Sequence, residues 1–147
     1  MSKERHPSDS SEQRAAQKEI LSIFNKTNNL NLKSNFLQFD DIVFQVDGYF
    51  AEPPILCEIY SRIGAMRVAQ NNKISKDILK MLLIDKLSGK QHRKMLIFAD
   101  EEAASSFSQG ESWYSKVKDY FDIEIIVIDI PKELRESLLA AQKRQYR

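Results

Sequence analysis

Cysteine is almost missing from this chain: Cys57 is the only one in 147 residues. No internal disulfide and no cysteine metal site can be built from it, which favours a reducing, cytoplasmic setting. Cys57 itself reads as a small buried hydrophobe. No apolar run approaches the ~20 residues that cross a bilayer, so a membrane protein is not expected. Met1–Asp9 is polar and reads without the apolar core of a signal peptide. The net charge of +1 gives no global attraction to nucleic acid or membrane. With four glycines, the chain carries neither a phosphate loop nor a dinucleotide fingerprint, and zinc-ligand spacings and nucleophilic serine motifs are equally absent. What is present, 42% hydrophobic and 29% charged residues, suits one globular domain over residues 11–147 behind a flexible tail, residues 1–10. His6 in that tail needs no function.

Periodicity then divides the chain. Ala15, Ala16, Ile20, Ile23 and Phe24 make a helical stripe within Ser11–Asn25. The Asn-rich stretch to Asn35 reads as a loop. Phe36–Phe39, Ile42–Phe50 and Leu56–Ile63 read as strands, the first two joined by a tight turn at Asp40-Asp41. Met66–Leu87 is a long helix whose apolar arc (Ile74, Ile78, Met81, Leu82, Leu83, Leu87) predicts burial on more than one side. Such a broad apolar surface also permits a homodimer. Met95–Ala99 is a short strand, and a helical stretch, broken near Gly110, follows from Asp100. Ile123–Ile130 is dense in β-branched residues and reads as a central strand. Pro131 suits the first turn of a last helix reaching about Gln145. The order α-β-β-β-α-β-α-β-α predicts an α/β fold, a mixed sheet flanked by helices.

The informative stretch is Val43–Gly64. Pro53-Pro54 lacks two ladder donors and therefore marks a bend at Ala51–Pro54. Centring the bend there sets Asp47 opposite Glu58, Gln45 opposite Tyr60, and Val43 opposite Arg62, all on one face. Phe44, Val46, Phe50, Ile55, Cys57 and Ile59 then share the apolar face. Two carboxylates with Cβ atoms roughly 5 Å apart destabilise a sheet unless a cation, a shared proton or a basic neighbour answers them. A hard divalent metal fits, since magnesium takes one or two carboxylates and keeps several waters. The alternative is a pair of exposed strand residues balanced by Arg62 or a lysine.

Helix, three-strand meander, helix, strand, with Asp47 on the second strand and Glu58-Ile59-Tyr60 on the third, resembles the PD-(D/E)XK nuclease-like (restriction-endonuclease-like) fold over Ser11–Ala99. The resemblance implies phosphodiester hydrolysis in DNA, or in RNA, with Mg²⁺ or Mn²⁺ on Asp47 and Glu58. It also implies a helix-borne carboxylate as auxiliary, for which Glu19 and Glu12 are candidates. The motif lysine is replaced by Tyr60, a poor base at neutral pH. Some members of the fold move that lysine to the next helix, where Lys73, Lys76 and Lys80 share one sector. Lys73, nearest the strand end, is the expected catalytic substitute with Gln70 as polar neighbour, and Lys76 and Lys80 are expected on the nucleic-acid backbone. The alternative is a decayed site, a catalytically inactive module binding nucleic acid or a protein partner.

Charge is uneven along the chain. Arg67, Lys73, Lys76, Lys80, Lys86, Lys90, Arg93 and Lys94 outnumber Asp77 and Asp85, so this helix and loop are a candidate phosphate-binding surface or simply a solvated face. His92 there reads as a surface histidine that could also meet phosphate. Asp100 is expected to cap a helix whose dipole favours Glu101 and Glu102. Trp113, Tyr114, Val117 and Phe121 are expected to pack into the core.

Overall fold

The Pro53-Pro54 bend sets the register of the sheet. Strand β2 (Ile42–Phe50) runs antiparallel to β3 (Ile55–Tyr60), with Gly48, Tyr49 and Phe50 opposite Cys57, Leu56 and Ile55, as the sequence predicts. The computed structural model describes residues 7–145, with side chains over 11–144. The remaining elements are α1 (Pro7–Asn28), β1 (Lys33–Phe39), α2 (Val68–Ser88), β4 (Arg93–Phe98), α3 (Glu101–Ser108), α4 (Trp113–Tyr120), β5 (Ile123–Val127) and α5 (Lys132–Gln145). Five strands form one sheet in the order β1-β2-β3-β4-β5, antiparallel through β3 and parallel from β3 to β5. The protein is thus α/β, a mixed sheet with helices on both faces. No helix among the described residues is long and apolar enough to cross a membrane.

Residues 1–6, including His6, lie outside the described residues. Pro7–Ser10, expected as tail, instead opens α1, where a proline without its N–H leaves no helical bond unmade. That helix also runs on into the expected loop, and β1 starts at Lys33, so only 29–32 connect them. The expected third helical stretch is two helices, separated around Gly110.

Each face of the sheet has its own core. Ile20, Leu21 and Phe24 of α1 and Leu134 and Leu138 of α5 cover Cys57, Ile59, Met95 and Ile97. On the other face Ile74, Ile78, Met81 and Ile84 of α2, with Ala103, Ala104 and Phe107 of α3, cover Leu56, Tyr60, Leu96 and Phe98. Burying each of the larger side chains stabilises the fold by about 1.5–3 kcal/mol. Every residue of β3 is buried, which makes β3 the central strand. Ile123–Ile130 is not central: β5 is an edge strand that ends at Val127, and its β-branched run is explained by coverage on both faces.

Two apolar sets are less buried than their periodicity predicts. Leu83 and Leu87 of the expected arc lie on the solvent side of α2, 41% and 38% exposed, so that helix is buried along one stripe. Trp113 and Phe121, expected in the core, are exposed, because α4 turns Ser115 and Lys118 inward instead.

A bulge changes the face assignment in β2. Lys33 pairs with Tyr49 and Asn35 with Val46, so Ser34 alone stands opposite Asp47 and Gly48. The extra residue reverses the alternation. Phe44 and Val46, expected beside Cys57 and Ile59, pack under α2, while Gly48 faces α1. Gly48 has no room for a side chain there: a Cβ would run into Cys57 Sγ and press on Leu21 and Leu32. Gly48→Ala is therefore expected to destabilise the domain by about 1–3 kcal/mol, and adding Cys57→Ala to restore roughly half of that. Urea denaturation of the double-mutant cycle measures it; additive effects would show that the thiol is not the obstacle.

Candidate active site

The bulge also creates the site. Beyond Gly48 and Cys57 the main chains of β2 and β3 part, and two carboxylates bridge the gap. The Asp47 N–H donates to Glu58 Oε2 (2.8 Å), and the Ile59 N–H donates to Asp47 Oδ2 (2.9 Å). Each carboxylate thus accepts from a main-chain donor of the opposing strand, which a continued ladder would have bonded. Asp47 and Glu58 do meet, but at the seam between strands and not side by side on one face. Asp47 opens towards α1; Glu58, 1% exposed, lies under α2.

The lysine that reaches Glu58 is Lys80. Its ammonium pairs with Glu58 Oε1, lies 3.5 Å from Asp77 Oδ1, and donates to the Gln45 carbonyl (2.9 Å). Lys73, expected in that role, is two helical turns away. Its side chain is 60% exposed, it pairs with Asp77 Oδ2 (3.0 Å), and its ammonium stands 5.8 Å from the Tyr60 ring centre. Nearness in sequence to the strand end misled, because the middle of α2, not its start, crosses the seam. Lys76 is exposed on the same helix.

Tyr60 is buried against Phe98, rings 5.0 Å apart, and its hydroxyl donates to Asp77 Oδ2 (2.8 Å). Tyr60→Phe is expected to cost about 1.5–3 kcal/mol, the range for a bond to a charged acceptor, with melting as the readout. A loss under about 0.5 kcal/mol would rule that bond out as a support of the site. Asp77 was missed in the sequence, though an acid within the Ile74–Ile78–Met81 stripe was the available signal. Of the auxiliary candidates, Glu19 is exposed and Glu12 pairs with Arg144 (2.6 Å), while Gln70 accepts from the Arg67 N–H at the start of α2. None of the three touches the seam. Gln17 is the α1 residue that does, through the Ile59 carbonyl (3.4 Å).

Burial, then the charges of Asp47 and Asp77, pushes the Glu58 carboxyl up to about 8 against the opposing pull of Lys80. For Lys80 burial works the other way, but Glu58, Asp77 and Asp47 hold the ammonium above its ordinary range. Burial and Asp77 lift Tyr60 well above its usual value, so it is a neutral phenol at physiological pH. Three acids (Asp47, Glu58, Asp77) face two lysines here, and the raised carboxyl records the excess negative potential.

The expected phosphate surface on α2 and the following loop is neutralised in part, with Lys76, Lys86 and Lys90 left exposed. Besides Lys73 and Lys80, Arg93 forks onto Glu124 (2.7 and 3.0 Å). Lys94 is buried and paired with Asp85, and His92, expected at the surface, is buried with its Nδ1 2.7 Å from Asp85 Oδ1. On the opposite face a cleft of about 1010 Å³ runs along α1 to Asp47, lined also by Arg14, Lys18, Lys26, Lys33 and Gln45. Reading the stretch after Asn25 as loop had hidden it. Among the described residues no group of three or more His, Cys, Asp or Glu is placed to hold a metal; the seam offers two carboxylates. No family model matches the chain, and no curated protein or solved structure shows significant similarity to it.

Proposed function

We propose that the protein is a PD-(D/E)XK nuclease-like domain that hydrolyses phosphodiester bonds in nucleic acid, with Asp47 and Glu58 as carboxylates and Lys80, from α2, as the motif's lysine. One observation carries this reading: the Lys80 ammonium sits on Glu58 where Asp47 crosses the same seam. The meander β1-β2-β3 followed by α2 and a parallel β4 supports it.

A divalent cation suits these donors. Magnesium takes one or two carboxylates and completes its shell with water, and the Lys80 ammonium already occupies a cation's place against Glu58. Asp47 and Glu58 would hold the metal. When bound, Mg²⁺ or Mn²⁺ supplies charge stabilisation at the phosphoryl oxygens. The chain's own groups do the rest. Asp77 and the Gln45 carbonyl keep the Lys80 ammonium at the seam, where it balances Glu58 or a phosphate oxygen. Tyr60, neutral and bonded to Asp77, holds α2 to the sheet and is not the base.

Purified protein with Mg²⁺ or Mn²⁺ is expected to cleave nucleic acid, and Asp47→Ala, Glu58→Ala and Lys80→Ala to lower the rate by about 10²-fold or more, while Lys73→Ala changes it little. Undiminished cleavage in both carboxylate variants would overturn the assignment. Saturating Mg²⁺ is also expected to stabilise the wild type by about 2.7 kcal/mol at a hundred times its dissociation constant, but not Asp47→Asn. The second reading, a catalytically silent nuclease-like module, draws on the burial of Glu58 beneath an internal cation. It predicts nucleic-acid binding with no cleavage under any metal.

A further inference from the structure

We infer that the cleft along α1 holds a single polynucleotide strand by its phosphates and leads it past Asp47. The inference rests on the phosphodiester reading of the seam for the identity of its ligand, and its own basis is the cleft. Arg14, Lys18, Ser22 and Lys26 recur along one face of α1, Asn29 follows just past its end, and Lys33 stands on β1. Arg14 to Lys26 spans twelve residues, about 18 Å of helix rise, enough to meet several successive phosphates. Asp47 is the only acid in the lining. Among the described residues Lys18, Lys26 and Lys33 have no acidic partner, whereas Lys73, Lys80, Arg93 and Lys94 all do. Exposed cations without an ion pair are available to phosphate; Lys76, Lys86 and Lys90 are such cations too, but it is Lys18, Lys26 and Lys33 that line the cleft together.

Shape selects the form of the strand. Spread along that 18 Å, a volume of about 1010 Å³ corresponds to a cleft roughly 8 Å across. A duplex, whose two grooves alone measure about 12 and 6 Å, is too broad to enter; one strand is not. The lining contains no aromatic ring, so no base stacks there. Contacts are then to backbone, independent of base and sensitive to salt. With three or four phosphates neutralised, affinity should fall roughly 20- to 50-fold between 50 and 200 mM salt.

The test is fluorescence anisotropy on the full chain in EDTA, so that no cleavage occurs, with labelled oligothymidylate, oligouridylate and a duplex. Single strands are expected to bind at least about tenfold more tightly than the duplex, and the two single-strand arms identify which polymer is preferred. The double substitution Lys18→Glu, Lys26→Glu, both on the exposed side of α1, is expected to weaken binding by about tenfold or more. Lys76→Ala should leave it within about twofold, and melting curves confirm that each variant is folded. Equal affinity for duplex and single strand, or binding unaffected by the double substitution, overturns the inference. Addition of Mg²⁺ separates the two readings. Binding as expected without subsequent cleavage keeps the strand cleft and overturns hydrolysis. Cleavage that the double substitution leaves unchanged keeps hydrolysis and overturns the cleft.

Discussion

Lys80→Met is expected to destabilise the domain by about 1–3 kcal/mol at pH 8, the range for leaving buried acceptors without their donor, since Glu58, raised to about 8, can keep its proton when the ammonium is gone. The lysine answers Glu58 and Asp77 together, both nearly inaccessible to water, so its loss leaves two carboxyls competing for one remaining cation, Lys73. Methionine keeps most of the aliphatic stem and isolates the charge. The deficit should shrink as pH falls towards 5, because a protonated Glu58 no longer needs the ammonium. Lys73→Met is the contrast: its side chain is mostly in solvent, and such a pair contributes about 0–1 kcal/mol. Urea denaturation of both variants at two pH values decides the matter. A Lys80→Met loss no larger than that of Lys73→Met would show that Glu58 is not balanced from α2.

The pH dependence of the wild type carries the second large effect. Glu58 has its folded-state carboxyl raised from 4.5 to about 8, chiefly by burial and then by Asp47 and Asp77. The folded protein therefore keeps a proton that the unfolded chain releases. The stability this confers is complete below about pH 4.5 and is lost as pH rises through 8. Within that window the slope from this one group approaches about −1.4 kcal/mol per pH unit. Lys80, raised from 10.5, contributes only in the alkaline range and does not disturb the comparison. Glu58→Gln should remove the slope, whatever it does to absolute stability by setting an amide against the ammonium. Denaturation free energies for both proteins at half-unit intervals from pH 5 to 8 give the difference. Parallel curves would mean that Glu58 ionises at its ordinary value and that the seam is wetter than its burial indicates.

The parts of this architecture that local chemistry controls were legible in the sequence. Two prolines that cannot join a ladder located the β2–β3 turn, and counting outward from them gave the three pairs nearest it, though not the expected pairing of Gln45 with Tyr60 or Val43 with Arg62. Ser88-Gly89, whose glycine is a stop signal for the helix before it, forms a left-handed cap with the Gly89 N–H bonded to the Asp85 carbonyl (3.0 Å), and Asp100 accepts from the Ala103 N–H (3.1 Å) at the start of α3. What escaped depends on a third partner. The bulge at Asp47-Gly48 exists only relative to β1, so nothing within the hairpin could report that Phe44 and Val46 change sides. The choice of Lys73 over Lys80 failed similarly, since periodicity placed both in one sector but could not say which turn of α2 lies over the seam. Trp113 was misassigned because an eight-residue helix repeats its apolar spacing too few times to distinguish an inward face from an outward one.

The solitary thiol beneath the bulge has a consequence for measuring how this sheet breathes. Cys57 is inaccessible, roofed by Gly48, and its ionisation is suppressed by burial and by Glu58 and Asp47, so a thiol reagent finds neither a path nor a nucleophile in the closed protein. Labelling must wait for the packing of α1 on the β2–β3 seam to open. Since no other thiol competes, the rate of mass increase, divided by that of the unfolded chain, gives the opening equilibrium of one known junction without any engineered probe. If opening is confined to the seam, labelling should be insensitive to low urea. If the thiol is released only with the whole fold, labelling should accelerate with the full denaturant dependence of global unfolding.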